Sequence, residues 1–237
     1  MATSGNPATV DEGERRKFDA LAQGWWNPRG PMAPLHAMNP ARMAWVAARI
    51  GTLAEREVLD VGCGAGLAAE WLARRGARVT GLDAAGAALA AGRAHAAAGG
   101  LAIDYLQGGP EVLEGRAFDA VLALEVIEHV PIPARPAFFA SLARLTRPGG
   151  TVILSTLNRT RRAYLVAIFG AERVLRWLPE GTHEWALFVT PAELAALGRG
   201  AGLAPADAAG MSPTLAGGFR VGRDMGVNYL MAFRRPG

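Results

Sequence analysis

Glu125, Glu128 and His129 stand together in "LALEVIEHV" (122–130), directly behind an apolar run. Spacings of three and four residues bring side chains to one face of a helical turn. Two carboxylates and an imidazole on one face can do three things. They can ligate a cation: carboxylate oxygens suit Mg²⁺, and a histidine moves the preference toward Zn, Mn or Fe. They can move a proton, with His129 or Glu128 as the base. Or they can merely order a helix end. Residue types alone leave all three open.

A second set lies upstream in "VLDVGCGAG" (58–66). A short apolar stretch delivers Asp60, and Gly62, Gly64 and Gly66 then turn the chain, letting a ligand approach the backbone closely. Asp83 closes the next apolar stretch, where an acid can accept hydrogen bonds from two ribose hydroxyls. A nicotinamide site would want its third glycine at position 67, which is Leu67. A carboxylate at Asp60 would also stand where a pyrophosphate must lie. A cationic ligand with a ribose suits Asp60 better, because a buried acid needs a counter-charge or donors. S-adenosylmethionine carries an amino group, a sulfonium and a ribose.

These residues need a frame to hold them. "EVLDV" (57–61), "ARVTGLD" (77–83), "LAIDYLQ" (101–107), "FDAVLAL" (118–124) and "GGTVILSTLN" (149–158) read as strands. Helical patterns at 67–75, 84–98 and 136–145 lie between them. Alternating strands and helices imply an α/β, doubly wound, parallel sheet with right-handed crossovers. Before it, Asp11 can cap a helix carrying Phe18, Leu21 and Ala22. "NPRGPMAPLHAMNP" reads as irregular loop, and a second helix runs from about Ala41 to Ile50. Behind the fifth strand, Thr190, Pro191 and Glu193 spell a capping box. "GVNYLMAF" (226–233) reads as a closing strand.

Of 237 residues, 51% are hydrophobic, enough for a sizeable core. The net charge is +4, and Lys17 is the only lysine, so every other basic residue is arginine. Such a surface suits an anionic partner, or it reflects biased codon usage. Cys63 stands alone, so no intrachain disulfide forms and a reducing compartment fits. No secretory signal and no apolar run of membrane-spanning length is present, and a cytoplasmic protein is expected.

"VLDVGCGAG", "VTGLD", "FDAVLALEVIEHVP" and "RPGGTVILSTLNR" together resemble the class I S-adenosylmethionine-dependent methyltransferases. The flanks "GWWNPRGPMAPLHAMNPARMAWV", "STLNRT…GAERVLRWLPEGTHEW" and "VNYLMAF" resemble the O-methyltransferases of ubiquinone biosynthesis. The resemblance implies a mostly parallel, seven-stranded, Rossmann-like sheet in a single domain. Residues 1–50 would form an N-terminal helical cap, 57–158 the cofactor-binding core, 159–186 a helical insertion, and 187–237 a C-terminal helix and strands. It implies methylation of aromatic hydroxyls on polyprenyl catechol-like phenols and on a demethylubiquinol. It places cofactor contacts on Arg42, Gly62, Asp83 and Leu124, beside Asp60 and Gly64 of the glycine loop. It names Glu125, Glu128 and His129 as ligands of a divalent cation, Mg²⁺ foremost.

The chemistry explains the need for them. A phenol of pKa about 10 is mostly protonated at neutral pH and a poor nucleophile. A base within reach, Glu128 or His129, can take its proton; alternatively a cation can chelate vicinal oxygens and lower their pKa.

A polyprenyl substrate resides in a bilayer. Residues 159–178 set Arg159, Arg161, Arg162, Arg173 and Arg176 around Tyr164, Leu165, Ile168, Phe169 and Trp177. That mixture suits the interface of an anionic membrane, hence a peripheral association; the alternative is a lid with its arginines in water. The family resemblance also implies other proteins of ubiquinone biosynthesis as partners. Another small-molecule substrate, RNA, or a non-enzymatic binding module are the rival readings. No recognisable RNA-binding module is present and the arginines cluster with aliphatics, so no nucleic acid is expected. His36 and His183 are candidates for the substrate opening or for loop structure, and His95 reads as surface. Trp25 and Trp26 read as packing for the cap rather than as a platform for a quinone ring.

Overall fold

The computed structural model describes residues 12–165, 185–214 and 217–237. Its frame is the expected one. Strands β1 (Glu57–Val61), β2 (Arg78–Asp83), β3 (Ile103–Gln107), β4 (Phe118–Leu124) and β5 (Thr146–Leu157) pair in parallel, in the order β3-β2-β1-β4-β5. Helices α3 (Leu67–Ala73), α4 (Gly86–Ala98) and α5 (Arg135–Leu145) cross over between them. Helix α6 (Pro191–Gly200) then leads into β6 (Ala204–Pro213), β7 (Phe219–Gly222) and β8 (Asn228–Arg234). Strand β8 runs antiparallel against β5, with β6 and β7 outside it, so the sheet has eight strands where seven were expected. The additional strand is the short β7 at the outer edge.

Alternation along the strands builds two cores. Val121 and Ala123 face one layer with Phe138, Phe139 and Leu142 of α5. Ala120 and Leu122 face the other, toward Met43, Val46 and Leu72. Successive strand residues point to opposite faces, so one apolar run serves both layers.

The N-terminal segment departs from expectation. Helix α1 (Glu12–Leu21) forms, although the expected cap Asp11 lies outside the described residues. The proline-rich stretch is largely helical: α2 spans Ala33–Ile50 with Pro40 inside it. Pro34 stands in the first turn, where its missing N–H is no loss. Pro40 forfeits one internal bond, and burial of Met38, Met43, Trp45 and Val46 on that helix outweighs it. The capping box on α6 is present: Thr190 Oγ1 accepts from Glu193 N at 3.3 Å, and Glu193 Oε2 accepts from Thr190 N at 2.9 Å.

Strand order reverses between β1 and β4, each flanked by strands that continue outward in opposite directions. In such sheets the crevice beyond the carboxyl ends at that switch is where ligands bind. The glycine loop leaves β1 there, and Glu125 leaves β4 there.

Candidate active site

The glycine loop is shaped by what touches it. Gly62 N and Cys63 N both donate to Leu82 O, at 2.7 and 3.1 Å. Gly64 has φ +54°, and a Cβ there would stand 2.1 Å from Trp25 Cζ2. Gly66 has φ +89°, and a Cβ there would meet the Tyr105 hydroxyl at 1.9 Å. Both sites demand glycine on two independent counts, backbone and space. Trp25 is buried and lies on the loop, so the cap packs directly over it. Asp83 turns back onto the same loop: Oδ2 accepts from Gly64 N at 2.7 Å and Oδ1 from Ala85 N at 2.8 Å. Burial raises the Asp83 pKa, and those backbone amides oppose the rise. Each of its oxygens keeps a further lone pair.

Asp60 and Arg42 are both buried and both incompletely satisfied. Asp60 is 2% exposed and Arg42 is 4% exposed. Among the described residues Asp60 Oδ2 and Arg42 Nε have no hydrogen-bond partner. Arg42 Nη2 donates to Asn39 Oδ1 at 3.0 Å, and Asn39 Nδ2 donates to Leu67 O at 3.1 Å. Burial lifts the Asp60 pKa to about 7, with Arg42 pulling it down and Asp83 pushing it up. Burial likewise lowers the Arg42 pKa, opposed by the charges of Glu125 and then Asp60. A lone acceptor and a lone donor, both dry and of opposite charge, fit a ligand carrying an ammonium and a carboxylate. The amino-acid end of S-adenosylmethionine is such a ligand.

The Glu–Glu–His set is held differently from the helical face its spacing suggests. Glu125 sits before the helical turn, at φ +57°. The turn itself is a single 3₁₀ turn, Ile127–His129. Glu125 N donates to Ser155 O at 2.9 Å. Its carboxylate accepts from Ser155 Oγ at 2.6 Å and from Asn228 Nδ2 at 3.1 and 3.0 Å. Glu128 is 4% exposed and accepts from Thr156 Oγ1 at 2.9 Å. Burial first, then Glu125, lifts the Glu128 pKa to about 7, while His129 opposes the rise. The His129 ring meets Phe18 of the cap edge-on, centroids 5.3 Å apart. Neither carboxylate caps a helix: the caps of the 3₁₀ turn and of α5 carry no side-chain bond. Leu124 is buried at the end of β4, paired in register with Ser155.

Glu125, Glu128 and His129 are therefore neighbours, but not a preformed cluster. Among the described residues no group of three His, Cys, Asp or Glu is placed to hold a metal ion. The carboxylates are already engaged by Ser155, Asn228 and Thr156. Those three partners, with Asn39, escape a reading by motif. Their signal is polarity where the strand pattern is apolar, as in "VILSTLN" and at the head of "NYLMAF".

The remaining histidines separate cleanly. His36 Nε2 is 2.8 Å from Trp25 O, tying α2 to the cap. His95 pairs with the buried Glu70 at 2.7 Å and stacks on Trp26, centroids 3.5 Å apart and 4° from parallel. Its side chain is 40% exposed, so this surface histidine also anchors the cap. His183 lies outside the described residues, as does 166–178 of the expected membrane segment.

Known proteins resemble this chain in sequence and in fold. A family model described as a methyltransferase domain matches residues 58–150. The ubiquinone biosynthesis O-methyltransferase of Ralstonia nicotianae is 44% identical, over 97% of each chain. That of Aeromonas salmonicida is 41% identical, again over 97% of each. Among solved structures, magnesium protoporphyrin IX methyltransferase from Synechocystis with bound S-adenosylmethionine superposes with TM-score 0.66 at 20% identity, covering 95% of this chain and 98% of that one. A possible histamine N-methyltransferase from Thermotoga maritima gives 0.67 at 15% identity, covering 94% and 99%. The structures establish the fold. The full-length relatives go further, and with them the chain belongs to the ubiquinone biosynthesis O-methyltransferase family of S-adenosylmethionine-dependent enzymes.

Proposed function

We propose that this enzyme methylates aromatic hydroxyls of polyprenyl catechol-type ubiquinone precursors, at both O-methylation steps. The observation that carries the reading is the orphaned pair at the switch point, Asp60 Oδ2 and Arg42 Nε, beside an acid–histidine set. When bound, S-adenosylmethionine supplies a sulfonium-linked methyl group to an oxygen nucleophile. Asp60 receives the ammonium of its amino-acid end and Arg42 the carboxylate. Asp83 takes the ribose hydroxyls on its spare lone pairs. Gly62 and Gly64, whose missing side chains leave room for Val126 and Trp25, line the cofactor crevice with main chain, and Leu124 meets the cofactor through main chain. Trp25, packed on Gly64, shields this region from water.

The acceptor hydroxyl loses its proton to an imidazole nitrogen of His129. Glu128 is the adjacent partner whose charge stabilises the imidazolium, and the influence of His129 in lowering the Glu128 pKa supports their closeness. General-base assistance of this kind contributes about 10²–10⁴ in rate.

A second reading is favoured by one observation: the Glu125 charge disfavours ionisation of buried Glu128 next to the crevice. A divalent cation would relieve that repulsion. Glu125, Glu128 and His129 would hold it, with waters completing the shell as Mg²⁺ prefers. Bound there, it would acidify vicinal phenol oxygens.

The reading keeps a single domain with the cap, core, insertion and C-terminal helix and strands at the boundaries expected from the sequence. Peripheral contact with an anionic membrane through 159–178 is part of the same proposal. Tyr164 and Leu165 are 45% and 58% exposed beside Arg161 and Arg162, while Arg162 pairs with Asp224 at 2.7 Å. Among the described residues no helix is long and apolar enough to cross a membrane. Flotation with anionic vesicles should carry the protein upward; absence of flotation ends the membrane claim. The function itself is tested with labelled cofactor and a catechol bearing a short prenyl tail, with EDTA and with Mg²⁺ added back. Label on the catechol oxygen supports the reading. Loss of transfer in EDTA, restored by Mg²⁺, favours the cation; full activity in EDTA favours the His129 base alone.

A further inference from the structure

Asn228 opens β8, within the closing stretch "VNYLMAF", and it is 4% exposed. Antiparallel pairing sets it opposite Leu157, the last residue of β5, at the carboxyl ends of the parallel strands where the crevice lies. Its amide Nδ2 reaches both oxygens of Glu125. Its Oδ1 is buried without a partner among the described residues. The orientation is dictated by charge, since the opposite one would turn a carbonyl oxygen onto a carboxylate.

Glu125 needs such a clamp for two reasons. Its backbone lies at φ +57°, a conformation that costs a non-glycine residue energy and must be held by its surroundings. From there the chain enters the turn bearing Glu128 and His129. Its carboxylate is also the foremost charge opposing the effect of burial on Arg42, ahead of Asp60. One side chain therefore joins the cofactor side of the crevice to the base side.

We propose that Asn228, assisted by Ser155, is a positioning residue for methyl transfer. It acts through Glu125, fixing both the counter-charge of Arg42 and the start of the Glu128–His129 turn. This rests on the reading that Glu125 stands at the working crevice. A hydrogen bond to a charged group predicts the size of the effect. Asn228→Ala should lower kcat about 10- to 100-fold and weaken cofactor affinity several-fold.

A double-mutant cycle with Glu125→Ala separates positioning from packing. If the amide acts through Glu125, adding Asn228→Ala to Glu125→Ala costs less than about twofold more. If it merely fills space, the two losses multiply, and the proposal fails. It fails equally if Asn228→Ala alone stays within twofold of the parent. Should that variant not fold, Asn228→Asp keeps the size and removes the donor. It should lose at least as much activity, and parental activity in it overturns the proposal. Ser155→Ala should show a smaller loss that also vanishes without the Glu125 carboxylate. A Glu125→Ala enzyme as active as the parent would instead sink the reading of Glu125 itself, a different failure.

Discussion

Asp60→Asn tests the cofactor end of the site most quantitatively. The carboxyl of Asp60 is buried and its pKa is lifted to about 7. If the ammonium of the cofactor binds only the ionised form, protons compete with it. Apparent affinity then scales with the ionised fraction. That fraction is about one half at pH 7, about one in eleven at pH 6 and about one in a hundred at pH 5. Affinity should therefore fall about fivefold from pH 7 to 6 and about fiftyfold from pH 7 to 5. The amino group of the ligand stays protonated throughout that window. The Asn variant carries no charge at any pH. It should bind about 10- to 100-fold more weakly at pH 7, the value of a lost charge-assisted bond, and its affinity should vary much less with pH. Calorimetric titration of S-adenosylmethionine into each protein at three pH values reads both effects. A parent affinity that is flat between pH 5 and 7, or an Asn variant that binds as tightly as the parent at pH 7, refutes the assignment of Asp60.

Three further outcomes follow from individual contacts. Asp83→Ala should weaken cofactor affinity severalfold or more by calorimetry, since it removes both the ribose acceptor and the bond to Gly64 N; unchanged affinity removes it from the site. Gly64→Ala should lower the melting temperature and cofactor affinity together, because its Cβ would collide with Trp25 and its φ is positive; a loss of about 1–3 kcal/mol is expected. Glu128→Gln should change the pH dependence of stability. The acid is harder to ionise folded than unfolded, so the parent loses stability as pH rises from about 4.5 to 7 and no further above that. The variant lacks that loss, and its advantage should grow by up to about 3 kcal/mol across the window in denaturant melts.

Much of the frame is legible in the chain because parallel strands announce themselves as apolar runs. The bounds of β1 and β4 fall where "EVLDV" and "FDAVLAL" place them. The second helix is less legible. Prolines at 34 and 40 read as breaks, and only tertiary burial of the Met38–Val46 face explains why the helix continues through them. The chemistry of "EVIEH" was visible in its residue types, while its geometry was not. Its spacing suits a helix, yet Glu125 lies at positive φ ahead of one 3₁₀ turn. What holds it there comes from Ser155 and Asn228, on strands 30 and 103 residues away. No local pattern encodes such a pairing; it exists only once β8 lies against β5.

The central claim is that His129 draws the proton from a phenolic hydroxyl beside a bound methyl donor. Single-turnover transfer from labelled S-adenosylmethionine to a short-chain prenyl catechol, in the parent and in His129→Ala, addresses it directly. The account predicts label on the catechol oxygen, a transfer rate about 10²–10⁴ lower in the variant, and the same cofactor affinity in both. Equal transfer rates in the two proteins would contradict it.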